Sequence, residues 1–462
     1  MPQSRFAYTL LASALLSAAC GADSTELEPT TTTTTTSSSS GGAAGAGGSG
    51  GQAPFGDIYV DATLGNDSND GAFATPLKTI GVALQRWLPG RDVVLMAGTF
   101  APASGETWDY EVPDGLTIKA NGVGVVLEGT PSNTAFVSNG TVSYEYVTMR
   151  NFGVALSAAA GTVSAVGVAL DSNATSIHLS GTAVASVSGF STFLGTGSAA
   201  VLDGSCVLSV DTGSVQVGAS PKFLANDSSS LLLAGLAVTG VGDVVYSYGA
   251  ATVSITNTTV SGGGAVASHS STGLLTLDTL TVVDSYSAAD IFSGDALITN
   301  LSVSNCGEYG VSTSAAAGSI SVVGATIQNC QIGALRSDGG TMNVSASYLT
   351  NASPGNTTGV SAHGGAVKVR NTTIRGYGRG VLADSATKPD LGSVSEYGQN
   401  TIMDNQVNFY SSGTPGITIA RGNTWNASVQ GADAQGHYAT LTVGGPASGA
   451  NYVLMAGDQL HF

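Results

Sequence analysis

"VSITNTTVSG" (253–262), "LTLDTLTVVDS" (275–285), "LITNLSVSNC" (297–306) and "ISVVGATIQNC" (320–330) share one pattern, an apolar residue between polar neighbours followed by a polar turn. The period-2 alternation marks strands with one buried face. One inward position can be followed through Val238, Val260, Val282, Val303, Ile327, Leu349 and Ile374, in steps of 22, 22, 21, 24, 22 and 25 residues. Its outward neighbours include Thr259, Thr281 and Ser302. A β pattern that recurs at this period predicts one solenoid coil per repeat, each coil stacked on the last at ~4.8 Å. A leucine-rich repeat has a similar period, but its L-x-x-L-x-L signature is missing. An antiparallel sandwich would not require the regular spacing. The expected fold is therefore all-β, a right-handed parallel β-helix with a short N-terminal capping helix.

Two residues after the tracked position stand Asp284, Asn305, Asn329 and Asn351, in register. Asn and Asp tolerate the left-handed conformation and can bond along a column, so the four read as a turn ladder. Three amides and one carboxylate make a poor cage for a hard cation, and no metal is expected here. Cys306 and Cys330 each follow a tracked position by three residues. In adjacent coils their Cα atoms would stand ~5 Å apart, within reach of a disulfide, although two stacked thiols fit the same register. Cys206 has no evident partner.

The remaining composition agrees with a repeat domain. Of 462 residues 64 are Gly, 10% are charged and 42% are hydrophobic. The balance of 14 Lys and Arg against 31 Asp and Glu, a net charge of −17, argues against nucleic acid as a partner. A monomer without a cofactor is expected.

Residues 1–19 read as a signal peptide, with Arg5 in a basic start, an apolar run from Phe6 to Leu16, and Ser17-Ala18-Ala19 before Cys20. This end resembles the bacterial lipobox, which implies lipidation of Cys20; Leu16 stands one place early for the usual pattern, and plain cleavage after Ala19 is the competing reading. Gly21 favours the outer membrane or cell surface over inner-membrane retention. Residues 20–54 then form a lipidated Cys and a Thr/Ser/Gly-rich tether, with seven consecutive Thr at 30–36. Such a segment buries too little apolar surface to offset its chain entropy and is expected to be disordered. Residues 55–140 are assigned to the cap and first coils, 141–390 to the main coils, and 391–462 to the C-terminal coils and cap.

Residues 58–100, "IYVDATLGNDSNDGAFATPLKTIGVALQRWLPGRDVVLMAGTF", resemble the opening of exported bacterial β-helices of the pectin-lyase-like superfamily. The shared order is strand, Asn/Asp/Gly loop, Pro-x-Lys-Thr-Ile, helix (here near Lys78–Leu88, with Ile80, Leu84 and Leu88 on one face), then a strand ending in Gly-Thr-Phe. The stretch from Lys388 to Trp425, "KPDLGSVSEYGQNTIMDN…ITIARGNTW", resembles a narrower family of bacterial lipoproteins, of the domain of unknown function 1565 type. The resemblance implies fold and export, and transfers no catalytic residue.

Polysaccharide lyases of this superfamily use Asp-bound calcium with an Arg or Lys base, and its glycoside hydrolases use clustered Asp pairs. The sequence has no Asp-Asp, Asn-Thr-Asp or Arg-Ile-Lys, and its five His show no metal or triad spacing. The loop Gly65–Gly71, with Asp67 and Asp70, reads as Asx turns rather than a calcium loop. The one unusual cluster is basic: Lys368, Arg370, Arg375, Arg379 and Lys388, beside Tyr377. Such groups grip acidic sugars by forked hydrogen bonds and stacking, whereas pairing with Asp384 and Asp390 would make them ordinary surface. The first reading is a non-catalytic glycan- or matrix-binding module that takes acidic polysaccharide at this cluster. The alternatives are a cryptic polysaccharide lyase or glycoside hydrolase, and a structural spacer.

Overall fold

The computed structural model describes residues 56–425, apart from 190, 196, 219–221, 384–388, 394, 412–415 and 421, together with 451–454. The signal segment, Cys20 and the tether lie outside the described residues, as do Asp384 and Lys388. Among the described residues no helix is long and apolar enough to cross a membrane.

The chain winds into a right-handed parallel β-helix of about 14 turns. A coil carries three strands; in one coil these are Val245–Gly249, Thr252–Thr256 and Thr259–Ser261. Each strand pairs in parallel with its counterpart in the coils on either side, which gives three ladders, here called first, second and third.

The tracked residues form the inner column of the third ladder, paired in order from Val238 to Ile374 and all 2% exposed or less. The column extends back through Val215, Phe193, Leu170, Met149 and Leu127 to Phe100, and forward to Ile402 and Trp425. Its neighbours Thr259 and Thr281 are exposed and Ser302 is half-buried, as strand alternation requires. Each buried aliphatic side chain adds about 1.5–3 kcal/mol, and stacking repeats that gain in every coil.

The corners explain why the coil closes after so few residues. Asp284, Asn305 and Asn329 adopt φ of 56°, 58° and 55°, so the expected turn column is left-handed, and Asn305 Nδ2 donates to Asp284 Oδ1 at 3.0 Å. Asn351 departs from it. The chain loops outward at 352–357 instead of turning at once, and the Asn351 amide braces that loop by donating to the Cys330 carbonyl and accepting from Ser353 N–H, each at 2.9 Å. A second left-handed column lies three residues before the tracked position, at Tyr146, Thr212, Asn257, Thr279, Asn300, Ala346, Asn371 and Gln399. Left-handed backbone costs non-Gly residues about 1–2 kcal/mol, which the stacked coils on either side offset.

Cys306 and Cys330 are joined by a disulfide between consecutive coils, with Cα atoms 4.3 Å apart. Cys206 is buried and free. At the N-terminal end the helix is shorter than expected, Ile80–Gln85. Thr79 caps it, held by Asp67 Oδ1, which accepts the N–H groups of Lys78 and Thr79, both at 2.9 Å. Ile80 and Ala83 reach the core, Leu84 packs against its edge, and Leu88 is left 46% exposed beyond the helix end.

Candidate functional site

The basic residues do not share a groove. Lys368 and Arg370 lie near the end of the strand Thr358–Arg370, Arg375 ends the third-ladder strand Thr373–Arg375, and Arg379 opens the first-ladder strand Arg379–Ala383 of the next coil. Lys368 Nζ pairs with Glu396 at 2.6 Å and Arg375 with Asp404 at 2.8 Å. The Arg370 side chain is only 7% exposed; it bonds the Asp390 carboxylate at 2.7 Å and the carbonyls of Asp390 and Val369. Its parity along the strand points outward, but Asp390, bridged in parallel to Lys368, and Glu396 pair with it. Tyr377 is buried, its hydroxyl donating to the Thr350 carbonyl at 3.1 Å, so it offers no ring to a ligand. The Arg379 guanidinium lies over the Tyr410 ring, 4.6 Å from its centroid. Four of the five cations are thus spread over different ladders, each paired within the fold, and they do not form the shared groove wall that a common grip on acidic sugar would need.

The first ladder gathers functional groups instead. Its outward column runs Tyr246, Ser268, Asp290, Ser312, Arg336 and Ser361, one residue per coil. From Tyr246 to Arg336 are four coil steps, about 19 Å. Tyr246 and Tyr248 alternate with buried Ser247 and therefore point the same way, their rings stacked with centroids 6.0 Å apart at 10°. Two coils on, Tyr286 and Phe292 flank the strand segment around Asp290, and both rings are exposed. Past them a groove of about 200 Å³ is lined by Phe292, Glu308, Tyr309, Ser312, Arg336 and Asp338.

The electrostatics follow from this stacking. Asp290 accepts from Ser312 Oγ at 2.7 Å and Ser287 Oγ at 2.9 Å, yet burial raises its pKa above the ordinary 3.8, and the charges of Glu308 and Asp243 push the same way. The Tyr246 hydroxyl is pushed up to about 12, by burial first and then by the Asp243 carboxylate beside it. Burial and neighbouring Glu308 likewise raise the Tyr286 hydroxyl. Arg336 donates Nε–H to Asp338 Oδ1 at 2.9 Å and lies 5.7 Å from the Tyr309 ring centroid. The carboxyls of Asp243, Asp290, Glu308 and Asp338 outnumber this guanidinium. The strip therefore presents apolar ring faces and hydrogen-bond acceptors in a field that disfavours anions.

Other sites are weaker. His269 is enclosed, its Nδ1 facing Ser247 Oγ at 2.6 Å and its Nε2 facing the Gly273 carbonyl at 3.0 Å; burial lowers its pKa. No substrate reaches that pair. Asp67 is spent on the Lys78 and Thr79 N–H groups at the helix start and Asp70 on Ala72 N–H and the Thr75 hydroxyl, and among the described residues no group of three or more His, Cys, Asp or Glu could hold a metal ion.

Solved structures similar in backbone path include two carbohydrate enzymes. One is the catalytic unit of the thermostable GH87 alpha-1,3-glucanase from Streptomyces thermodiastaticus strain HF3-3, with a TM-score of 0.45 and 13% identity over 74% of this chain and 64% of that one. The other is the GH136 lacto-N-biosidase from Eubacterium ramulus in its selenomethionine derivative, with a TM-score of 0.41 and 13% identity over 67% of this chain and 66% of that one. This chain spans just under two thirds of the length of each. No curated protein matches it. Residues 63–191, from the opening loop through the first coils, match the family model described as "Protein of unknown function (DUF1565)".

Proposed function

We propose that this chain is a surface-displayed glycan-binding module, held to the outer membrane through a lipidated Cys20, and that it takes a neutral glycan along the first ladder between Tyr246 and Asp338. One observation carries the binding reading: the exposed rings of Tyr248, Tyr286 and Phe292 stand beside convergent carboxyls within a few coils. Rings supply flat apolar contact and the carboxylates accept hydroxyls, while their excess negative charge disfavours uronic or sulfated chains. A glycan array on residues 55–462 tests it. Neutral oligosaccharides should be retained, and Tyr246→Ala with Tyr248→Ala should weaken retention by about tenfold, the worth of two ring contacts. Failure of every glycan to bind would leave the spacer reading.

Hydrolysis is the second reading, favoured by Asp290, a carboxyl raised by burial near the Glu308 carboxylate, as an acid and base would be. Reducing-end release that disappears in Asp290→Asn would establish it; binding without release would confine the protein to recognition. The anchor is tested separately, since Cys20→Ser should abolish labelling by a palmitate analogue.

A further inference from the structure

The corner between the third and first ladders holds a second concavity. It is an open concavity of about 580 Å³ where the outward loop 352–357 stands against the turn residues Asn305 and Asn329. Its lining carries no charged side chain and is built on carboxamides: Asn305, Asn329, Gln331, Asn351 and Asn356. Both walls are fixed before any ligand arrives. The Cys306–Cys330 disulfide pins one, and the buried Asn351 amide ties the loop to the Cys330 carbonyl at 2.9 Å. The Ala352 N–H bonds Asn329 Oδ1 at 3.0 Å, and among the described residues the Asn329 amide hydrogens make no hydrogen bond. Among the described residues the side-chain amides of Gln331 and Asn356 make no hydrogen bond at all.

A carboxamide presents a donor and an acceptor side by side, which is the complement of a hydroxyl that both donates and accepts. With no charge in the lining, no ion is preferred, and the volume falls within the range of small-ligand sites. We infer that this corner groove is a second binding site, specific for a neutral saccharide, with Gln331, Asn356 and Asn329 as its hydrogen-bonding residues. It is separate from the aromatic strip and does not depend on it. The strip would bind through ring faces and carboxylates, whereas the corner would bind through side-chain amides that read hydroxyl positions.

Titration of the purified protein with maltotriose, cellotriose, laminaritriose and triacetylchitotriose, followed by the side-chain amide NMR signals, tests the assignment. At least one of the four should shift the Gln331 and Asn356 NH₂ signals. The double change Gln331→Ala and Asn356→Ala should weaken that event about tenfold, the worth of two or three net hydrogen bonds, and leave thermal stability unaltered because both side chains lack folded-state partners. Galacturonic acid trimer should bind no better than the neutral sugars. Saccharide binding that leaves these amide signals in place and is lost only with Tyr246→Ala and Tyr248→Ala would overturn the corner site while keeping the strip. Absence of any shift with all four sugars would overturn it as well.

Discussion

The cations around residues 368–379 and the groups between Tyr246 and Asp338 are both clusters of polar chemistry on one solenoid, and they end in opposite states. The first is close in sequence and dispersed in space: Arg370, Arg375 and Arg379 fall on different ladders, each with a partner of its own. The second is spread over nearly a hundred residues of sequence and converges, because a coil places each member directly above the last. In a stacked-coil fold, proximity along the chain is a poor guide to a shared surface, and equal phase within the coil is a good one.

That contrast can be broken or sharpened by substitution. The interior sets the upper limit: Val282→Asp should cost about 4 kcal/mol in denaturant unfolding, since it buries an unpaired charge, while adjacent Thr281→Asp should cost about 0.5 kcal/mol. Arg370→Ala should come next, at about 3 kcal/mol, because it strips a nearly enclosed guanidinium from Asp390. If Arg370→Ala proved neutral, the account of this cluster as internally engaged would fail.

Asp290 should behave in the reverse sense. Its raised pKa means that the folded state holds its proton to higher pH than the unfolded state does, so stability falls as pH rises through the ordinary value of 3.8 and up to the folded value. Asp290→Asn should therefore raise the melting temperature at neutral pH, and the gain should vanish in acid well below that value. A melting temperature lowered equally at both pH values would show that Asp290 is structural rather than held at a cost. Ala346→Gly, which relieves left-handed backbone at φ 49°, should add up to about 1 kcal/mol. Smallest of all, Arg375→Gln should change stability by about 0.5 kcal/mol or less, since both members of its ion pair are exposed.

The legible and illegible parts of the sequence divide along the same line. The Val282 column could be read because its members are of one chemical type and each sits between polar neighbours. The second left-handed column could not, because Tyr146, Thr212 and Ala346 carry no turn signature; backbone geometry is imposed on them by the coils above and below. The strip does not show in the apolar repeat because its members differ in kind, Tyr246, Ser268, Asp290 and Ser312, although they recur at steps of 22 residues. Reading every phase of the repeat, instead of the apolar one alone, would have exposed it. The helix start lies two residues later than the sequence suggests because Asp67, eleven residues before Lys78, holds the Lys78 and Thr79 N–H groups outside the helix.

The disulfide between consecutive coils has a mechanical meaning. A coil touches only its neighbours, so a solenoid pulled at its ends can give up chain one turn at a time, each release lengthening the molecule. Cys306 and Cys330 are 24 residues apart, and the bond between them withholds that turn from extension. About 80 Å of contour stays stored until the sulfurs are reduced, so stretching curves taken with and without a thiol reductant should differ in final length by that amount.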